Sequence, residues 1–241
     1  YKQDEADLNL IDLSKFVPNP REDSQFQGNT ILPVCLRLLN DCLHKKHKVV
    51  LLSRTNNVPW FTGRGPMELG DFLELLRSHS PENQRKLIMI STVHAFKGAE
   101  ADAVIVIDGT ERRYPLLHPD VIFTRFFGDG IEETLEEERR LFYVGVTRAV
   151  SRLFVISEKN RFSPFLTEIV SGFKELDVNS FRAPVFRAKD EEFYVCVGNA
   201  PQRGNSGTFK IKQLLKEEGY KWSRGNWSCW QRPFAHKSND F

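Results

Sequence analysis

Apolar residues recur along this chain with two periods. Ile31, Leu32, Cys35, Leu38, Leu39, Cys42 and Leu43 fall three and four apart, which predicts an amphipathic helix over about 30–46. Val49–Ser53 is a short valine and leucine run between a lysine and a polar cluster, and reads as a buried strand. Met67–Ser78 carries a second helical pattern that stops near Ser80-Pro81. Leu87–Thr92, Ala103–Asp108 and Arg152–Ser157 read as further buried strands, with a helix over Thr134–Ala149 between the last two. Buried strands that alternate with amphipathic helices predict an α/β fold: a parallel sheet with flanking helices.

The polar stretches divide the chain. Residues 1–29 are acidic-biased, contain Pro18-Asn19-Pro20 and read as a connection into the domain. Residues 109–131 form a long loop, a length that is often functional. Near 173–190 the composition shifts, and Phe181-Arg182-Ala183-Pro184 marks a linker. The expected organisation is a large domain over 1–175, a linker over 176–190 and a small α+β domain over 191–241. That last unit reads as a strand at Phe193–Val197, a Gly/Asn loop at Gly198–Gly207, a helix at Thr208–Glu218, and two strands around Lys221–Trp222 and Trp227–Trp230.

Composition adds limits. At 241 residues, 40% hydrophobic and 27% charged, the chain is ordinary for a globular protein. No apolar run approaches the roughly 20 residues that span a bilayer, and Tyr1 opens a segment without a signal-peptide pattern. A fragment or domain of a longer cytoplasmic protein, without a membrane partner, is expected. The four cysteines, Cys35, Cys42, Cys196 and Cys229, form no Cys-x-x-Cys pair, so reduced thiols and no structural metal are expected. Cys35 and Cys42, two turns apart, read as core residues of one helix. The net charge is only +2, but from Pro201 onward eight basic residues face three acidic ones. A basic tail favours a polyanionic partner.

The most informative run is Glu136-Glu137-Glu138-Arg139-Arg140-Leu141-Phe142-Tyr143-Val144-Gly145-Val146-Thr147-Arg148-Ala149. On a helix Glu136 and Arg140 can pair, and Leu141, Val144 and Thr147 share a face. Arg148 then emerges from an otherwise buried helix. An arginine there suits a phosphate, because its planar, permanently charged fork takes two oxygens at once. The six acids within 129–138 read as a solvated face. Glu138 and Arg139 read as ion-pair partners rather than catalysts.

This run resembles motif VI of the superfamily 1 helicases of the UvrD/PcrA/Rep type. Ile90-Ser91-Thr92-Val93-His94-Ala95-Phe96-Lys97-Gly98-Ala99-Glu100 resembles motif V, and Val49-Val50-Leu51-Leu52-Ser53-Arg54-Thr55-Asn56 resembles motif IV. The short interval between Arg54 and Thr92, and the segment Asn160-Arg161-Phe162-Ser163-Pro164-Phe165-Leu166, are most similar to bacterial helicase IV. Phe96 departs from the family, which usually has a small residue before Lys-Gly. The resemblance covers about 45–170.

The resemblance implies the second RecA-like domain of an ATP-dependent 3′-to-5′ DNA helicase. It implies that Arg54 touches the γ-phosphate of ATP and that Arg148 is an arginine finger. Glu100 would contact the ribose of the nucleotide, with Gly98 beside it. Thr92, His94 and Lys97 would follow the single-stranded DNA backbone, with Lys97-Gly98 read as a helix start. His94 as a structural histidine, Lys97 as a solvated side chain and Arg54 as a surface arginine remain the plainer readings. The chain contains no Gly-x-x-x-x-Gly-Lys-Ser/Thr. The cradle for ATP and Mg2+ is therefore expected on an upstream RecA-like domain of the same protein, and the chain alone is expected to lack ATPase activity. A non-enzymatic nucleic-acid-binding protein with a helicase-like fold is the alternative.

In the tail, Trp222, Trp227 and Trp230 interleave with Lys221, Arg224 and Arg232. Such a pattern suits stacking on bases with cations at the phosphates; a small tryptophan core is the competing reading. Lys221 and Trp227 are the candidate contacts, Trp227 as the exposed ring and Trp222 and Trp230 as core.

Overall fold

Four apolar runs and two strands that the hydrophobic pattern missed build a parallel sheet. The computed structural model describes residues 6–19, 23, 30–58, 67–117, 131–182, 192–198, 208, 210–223 and 229–235. The chain divides into two compact units, Tyr1–Phe186 and Arg187–Phe241.

In the first unit the strands are β1 (Asp7–Asp12), β2 (Val49–Ser53), β5 (Ile88–Thr92), β6 (Ala101–Val106), β7 (Ala149–Ser157) and the short β8 (Lys174–Glu175). Their order is β5-β2-β6-β7-β1-β8, and every neighbouring pair is parallel. Both faces are covered, which is why these strands read as continuous apolar runs rather than alternating ones. Val49 and Leu51 face one core with Ile105, Phe154 and Ile156. Val50 and Leu52 face the other with Val104, Leu153 and Val155. Helices α1 (Ile31–His44) and α2 (Leu69–Ser78) lie on the first core. Helices α3 (Ile131–Val146) and α4 (Pro164–Ile169) lie on the second. Cys35 and Cys42 are fully buried in α1, where burial raises both thiol pKa values, that of Cys42 to about 11.

The segment read as a polar connection contains β1, an interior strand between β7 and β8. Its polar residues bond both to near neighbours and to groups about 145 residues away, which hid the strand. Asn9 donates to the carbonyls of Asp7 (2.9 Å) and Leu153 (3.3 Å). The Asp12 carboxylate accepts from the Ser14 amide (3.0 Å), the Ser14 hydroxyl (2.7 Å) and the Lys159 amide (3.1 Å). Further on, Asp23 and Arg37 form a buried pair with two 2.8 Å hydrogen bonds, which ties the leading segment to α1.

Other departures are smaller. Met67–Glu68, assigned to a helix by pattern, is β4 and pairs antiparallel with β3 (Asn57–Val58) before α2 begins. The buried residues of α3 are Glu138, Phe142 and Gly145, and much of the helix, expected to be buried, is part-exposed. Of the long loop, residues 118–130 lie outside the described residues. Gly109 opens that loop where space is tight: a Cβ there would stand 2.5 Å from a methyl of Val155.

Among its described residues the second unit has a three-stranded antiparallel sheet, ordered β10 (Lys221–Ser223), β11 (Cys229–Ala235), β9 (Glu192–Val197), and one helix, α5 (Lys212–Glu217). Leu215, Cys229 and Trp230 are buried in it.

Candidate nucleotide and nucleic-acid site

Parallel strands present their carboxyl ends at one edge, where loops gather and ligands commonly bind. Ser53 at the end of β2 lies in register with Thr92 at the end of β5. Arg54, Thr92 and His94 therefore leave the sheet at a common edge. The Val93 amide donates to the Ser53 carbonyl (3.0 Å), which joins the two exits.

Arg54 is not a surface arginine. Its side chain is 14% exposed, and its fork closes on Glu138, with Nε at 3.0 Å from one oxygen and Nη2 at 2.5 Å from the other. The first of those oxygens also accepts from the Leu116 amide at 3.0 Å. Burial opposes the Arg54 charge, and the Glu138 carboxylate outweighs it, so the pKa ends above the usual value. The Arg54 amide and the Ser53 hydroxyl both donate to one oxygen of Asp108, at 2.8 and 2.9 Å. Asp108 is fully buried, and burial pushes its carboxyl up to about 6 despite those bonds. Arg113 donates to the Thr55 hydroxyl at 3.0 Å. Tyr114 is fully buried and meets Phe142 of α3 edge-on, with ring centroids 5.0 Å apart.

Glu138 thus leaves the solvated row of acids to which its sequence neighbours belong. Its partner lies 84 residues away, so no local spacing signalled the pair. Asp108, Tyr114, Val93 and Gly145 were also missed. Among these only Asp108, an acid at the end of an apolar strand, carried a local hint. The expected ion pair of Glu136 with Arg140 is present at 3.7 Å, and Arg139 bridges Glu136 and Glu168.

Arg148 stands elsewhere. It follows α3 and precedes the amino end of β7, and its carbonyl accepts from the Ala101 amide at 3.1 Å. That bond sets it beside Glu100, which is exposed. The guanidinium is part-exposed and folds onto its own helix end, donating from Nε to the Val144 carbonyl (3.0 Å) and from Nη2 to the Thr147 hydroxyl (3.4 Å). Among the described residues no carboxylate pairs with it. The structure therefore sets the backbones of Glu100 and Arg148 side by side before β6 and β7, and Arg54, Thr92 and His94 at the exits of the adjacent β2 and β5; no described contact joins the two arginines.

The segment from Val93 to Gly98 is a series of turns. No helix starts at Lys97-Gly98: the amides of Phe96, Lys97 and Ala99 donate to the carbonyls of Thr92 (3.0 Å), His94 (3.4 Å) and Phe96 (3.2 Å). Gly98 has φ +86°, a left-handed conformation that favours glycine. The Thr92 hydroxyl accepts from the Ala95 amide at 3.2 Å, while His94 and Lys97 are exposed. Phe96 turns inward and is 8% exposed, so the bulky residue is part of the core.

Residues 45–160 match the family described as the UvrD-like helicase C-terminal domain. Over this segment the chain is similar to a UvrD-type helicase C-terminal domain. Among relatives, the DNA helicase IV of Escherichia coli K12 is 37% identical over 97 residues, 39% of this chain and 14% of that protein. The ATP-dependent DNA helicase PcrA of Leuconostoc citreum is 40% identical over 74 residues, 31% of this chain and 9% of that protein. The chain therefore spans only a small part of the length of the curated relatives it matches. A solved C-terminal domain of a possible DNA helicase from Lactobacillus plantarum WCFS1 aligns at TM-score 0.43 and 14% identity, covering 72% of this chain and 86% of that one. No described helix is long and apolar enough to cross a membrane.

In the second unit, Trp230 is buried and Trp222, its cross-strand partner, is 43% exposed. Their rings meet edge-on at 5.4 Å. Trp222 is thus not the core residue expected from the sequence. Lys221 is exposed beside it, and Trp227 lies outside the described residues.

Proposed function

We propose that the chain is the C-terminal part of an ATP-dependent DNA helicase or translocase that moves 3′-to-5′ on single-stranded DNA. MgATP is the substrate, cradled by an upstream RecA-like domain of the same protein. Arg148 acts as the arginine finger, and Glu100 and Gly98 complete this chain's share of the nucleotide site. Thr92, His94 and Lys97 contribute to the DNA track. The observation that carries the reading is the state of Arg148: part-exposed, free of a carboxylate partner among the described residues, next to Glu100 and at the end of a packed helix. Such a side chain can rotate off its own helix and put charge on a transferring phosphoryl group at the cost of two weak hydrogen bonds.

The second unit supports the same partner. Trp222 offers a part-exposed ring propped by a buried tryptophan, an arrangement suited to stacking a base, and Lys221, exposed on the same strand, adds positive charge to the unit.

The test of the main reading is Arg148→Ala in the full-length protein. Steady-state ATP turnover with saturating single-stranded DNA should collapse while DNA affinity stays within about twofold. Turnover near wild type would remove the arginine-finger assignment. The 241-residue chain alone, having no P-loop, should show no DNA-stimulated turnover.

A further inference from the structure

The connection from α1 to β2 is an unbroken run of histidine and lysine, His44-Lys45-Lys46-His47-Lys48, exposed throughout except for half-buried His47. Its backbone is pinned. The amides of Lys46 and His47 donate to the carbonyls of Leu43 (2.9 Å) and Cys42 (3.2 Å), the paired bonds that close a helix around a left-handed residue just past its end. The Lys48 amide donates to the Asp102 carboxylate (2.8 Å), and the Lys48 carbonyl accepts from the Ala103 amide (3.1 Å). The left-handed residue is Lys46, with φ +59°. Glycine holds such a position without steric cost, and a residue with a Cβ does not. A backbone cost accepted while keeping a lysine points to a use for that lysine.

The field of the helix end favours His44 and Lys45 in its last turn, but it falls off before Lys48. Val49 of β2 is in register with Ile88 of β5, so Lys48 and Lys86, just before those strands, share one corner of the sheet. Lys86 is exposed. Nearby acids are engaged: Asp41 pairs with Lys45 (3.6 Å) and with Arg152, and Asp102 holds the Lys48 amide. Glu82, at the start of the short helix that carries Lys86, is exposed and subtracts one charge. Among the described interactions no carboxylate pairs with the side chains of Lys46, Lys48 or Lys86. This corner is at the amino end of β2, whereas Arg54, Thr92 and His94 leave the sheet at the carboxyl end, about 17 Å away along a five-residue strand.

Sites for single strands set aromatic rings among their cations so that bases can stack. Neither 44–49 nor 85–89 contains Phe, Tyr or Trp. The corner therefore offers charge to phosphates and no platform to bases. That suits a duplex, whose bases are already stacked and whose backbone is a dense row of charge. We propose that Lys46, Lys48 and Lys86 form a contact surface for the phosphate backbone of duplex DNA, separate from the single-strand track. The choice of DNA as the polyanion rests on the helicase reading above.

The experiment uses the full-length protein and two probes: a single-stranded oligonucleotide, and a duplex that carries the same oligonucleotide as a 3′ tail. Affinity is measured from about 50 to 200 mM salt for Lys46→Gly, Lys48→Gln, Lys86→Gln and the triple variant, together with melting temperature and ATP turnover on the single strand. Each single change should weaken binding of the tailed duplex by about 3- to 10-fold and lower its log–log salt slope by about 0.9, and the triple variant should lower that slope by about 2.7. Affinity for the single strand, and turnover on it, should stay within about twofold. Lys46→Gly separates charge from architecture, because it removes the cation and relieves the left-handed backbone. Its melting temperature should not fall, and Lys46→Arg should bind the tailed duplex as wild type does. Unchanged binding of the tailed duplex by the triple variant would overturn the proposal and leave the corner to an acidic protein or to solvent. Equal losses on both probes would overturn it by merging the corner with the track. A fall in turnover with duplex affinity intact would assign the lysines to the nucleotide cleft and overturn it too. A failure of the helicase reading looks different: Arg148→Ala would then leave turnover intact, while the duplex effect of the three lysines remained.

Discussion

Two arginines lie just outside regular elements of the same domain, and the surroundings of each decide what it can do. Arg54 is 14% exposed, bidentate to a carboxylate and linked through its amide to a second, fully buried acid. Arg148 is part-exposed, and its guanidinium bonds only to its own helix end among the described interactions. A pair withdrawn from water resists disassembly, since removing one partner strands the other charge. A part-exposed arginine with weak local bonds can change partners at little cost. The contrast teaches that an arginine after a strand and an arginine after a helix cannot be given one role from sequence pattern. Burial and the pairing of the guanidinium separate a brace from a reactive group.

Each prediction tests that contrast. Arg148→Ala should lower DNA-stimulated ATP turnover of the full-length protein by about three to five orders of magnitude, while chemical denaturation shows stability within about 0.5 kcal/mol of wild type. A large stability loss would make Arg148 a second brace and erase the difference.

The mirror-image experiment is Glu138→Gln. It leaves Arg54 partly buried without a counter-charge, and stability should fall by about 3 kcal/mol. A loss under about 1 kcal/mol, the range of an exposed pair, would mean that Arg54 is as free as Arg148.

Asp108 sharpens the comparison through pH. Its carboxyl is raised from 3.8 to about 6 by burial, so between these values the folded state binds the proton that the unfolded state has released. Stability from this group is therefore lost as pH rises from about 4 to about 6, and stays lower above that. The full penalty is about 3 kcal/mol. Asp108→Asn should gain stability over wild type progressively across that window, in denaturation curves taken from pH 4 to 8. A difference that does not vary with pH would show that Asp108 ionises normally.

The smallest effect belongs to the second unit. Trp222→Ala in the whole chain should weaken binding of a single-stranded oligonucleotide by about 1–3 kcal/mol at low salt. Lys221→Ala should reduce the salt dependence by about 0.7 in log–log slope, one phosphate contact's worth. No change in either would leave Trp222 as an exposed ring without a nucleic-acid role.

Much of the large domain was legible in the chain itself. Val49–Ser53 and the other apolar strands were readable because a sheet covered on both faces needs apolar residues on both sides of each strand. Helix α1 was readable because its apolar positions keep helical spacing. The ordered motifs around Arg54, Thr92 and Arg148 pointed to the helicase family because their residues are contiguous, and contiguous patterns survive without knowledge of the fold. Strand β1 was hidden, since Asn9 and Asp12 look like loop residues until their hydrogen bonds to Leu153 and Lys159 are known. The exposure of Trp222 and the inward turn of Phe96 were hidden for the same reason, because a side chain's burial depends on what packs against it. So too was the closure of Arg54 by Glu138, 84 residues distant. Local periodicity and motif order belong to the sequence; long-range pairing of charges belongs to the tertiary structure, because only folding brings such groups within reach and removes the water that would otherwise screen them.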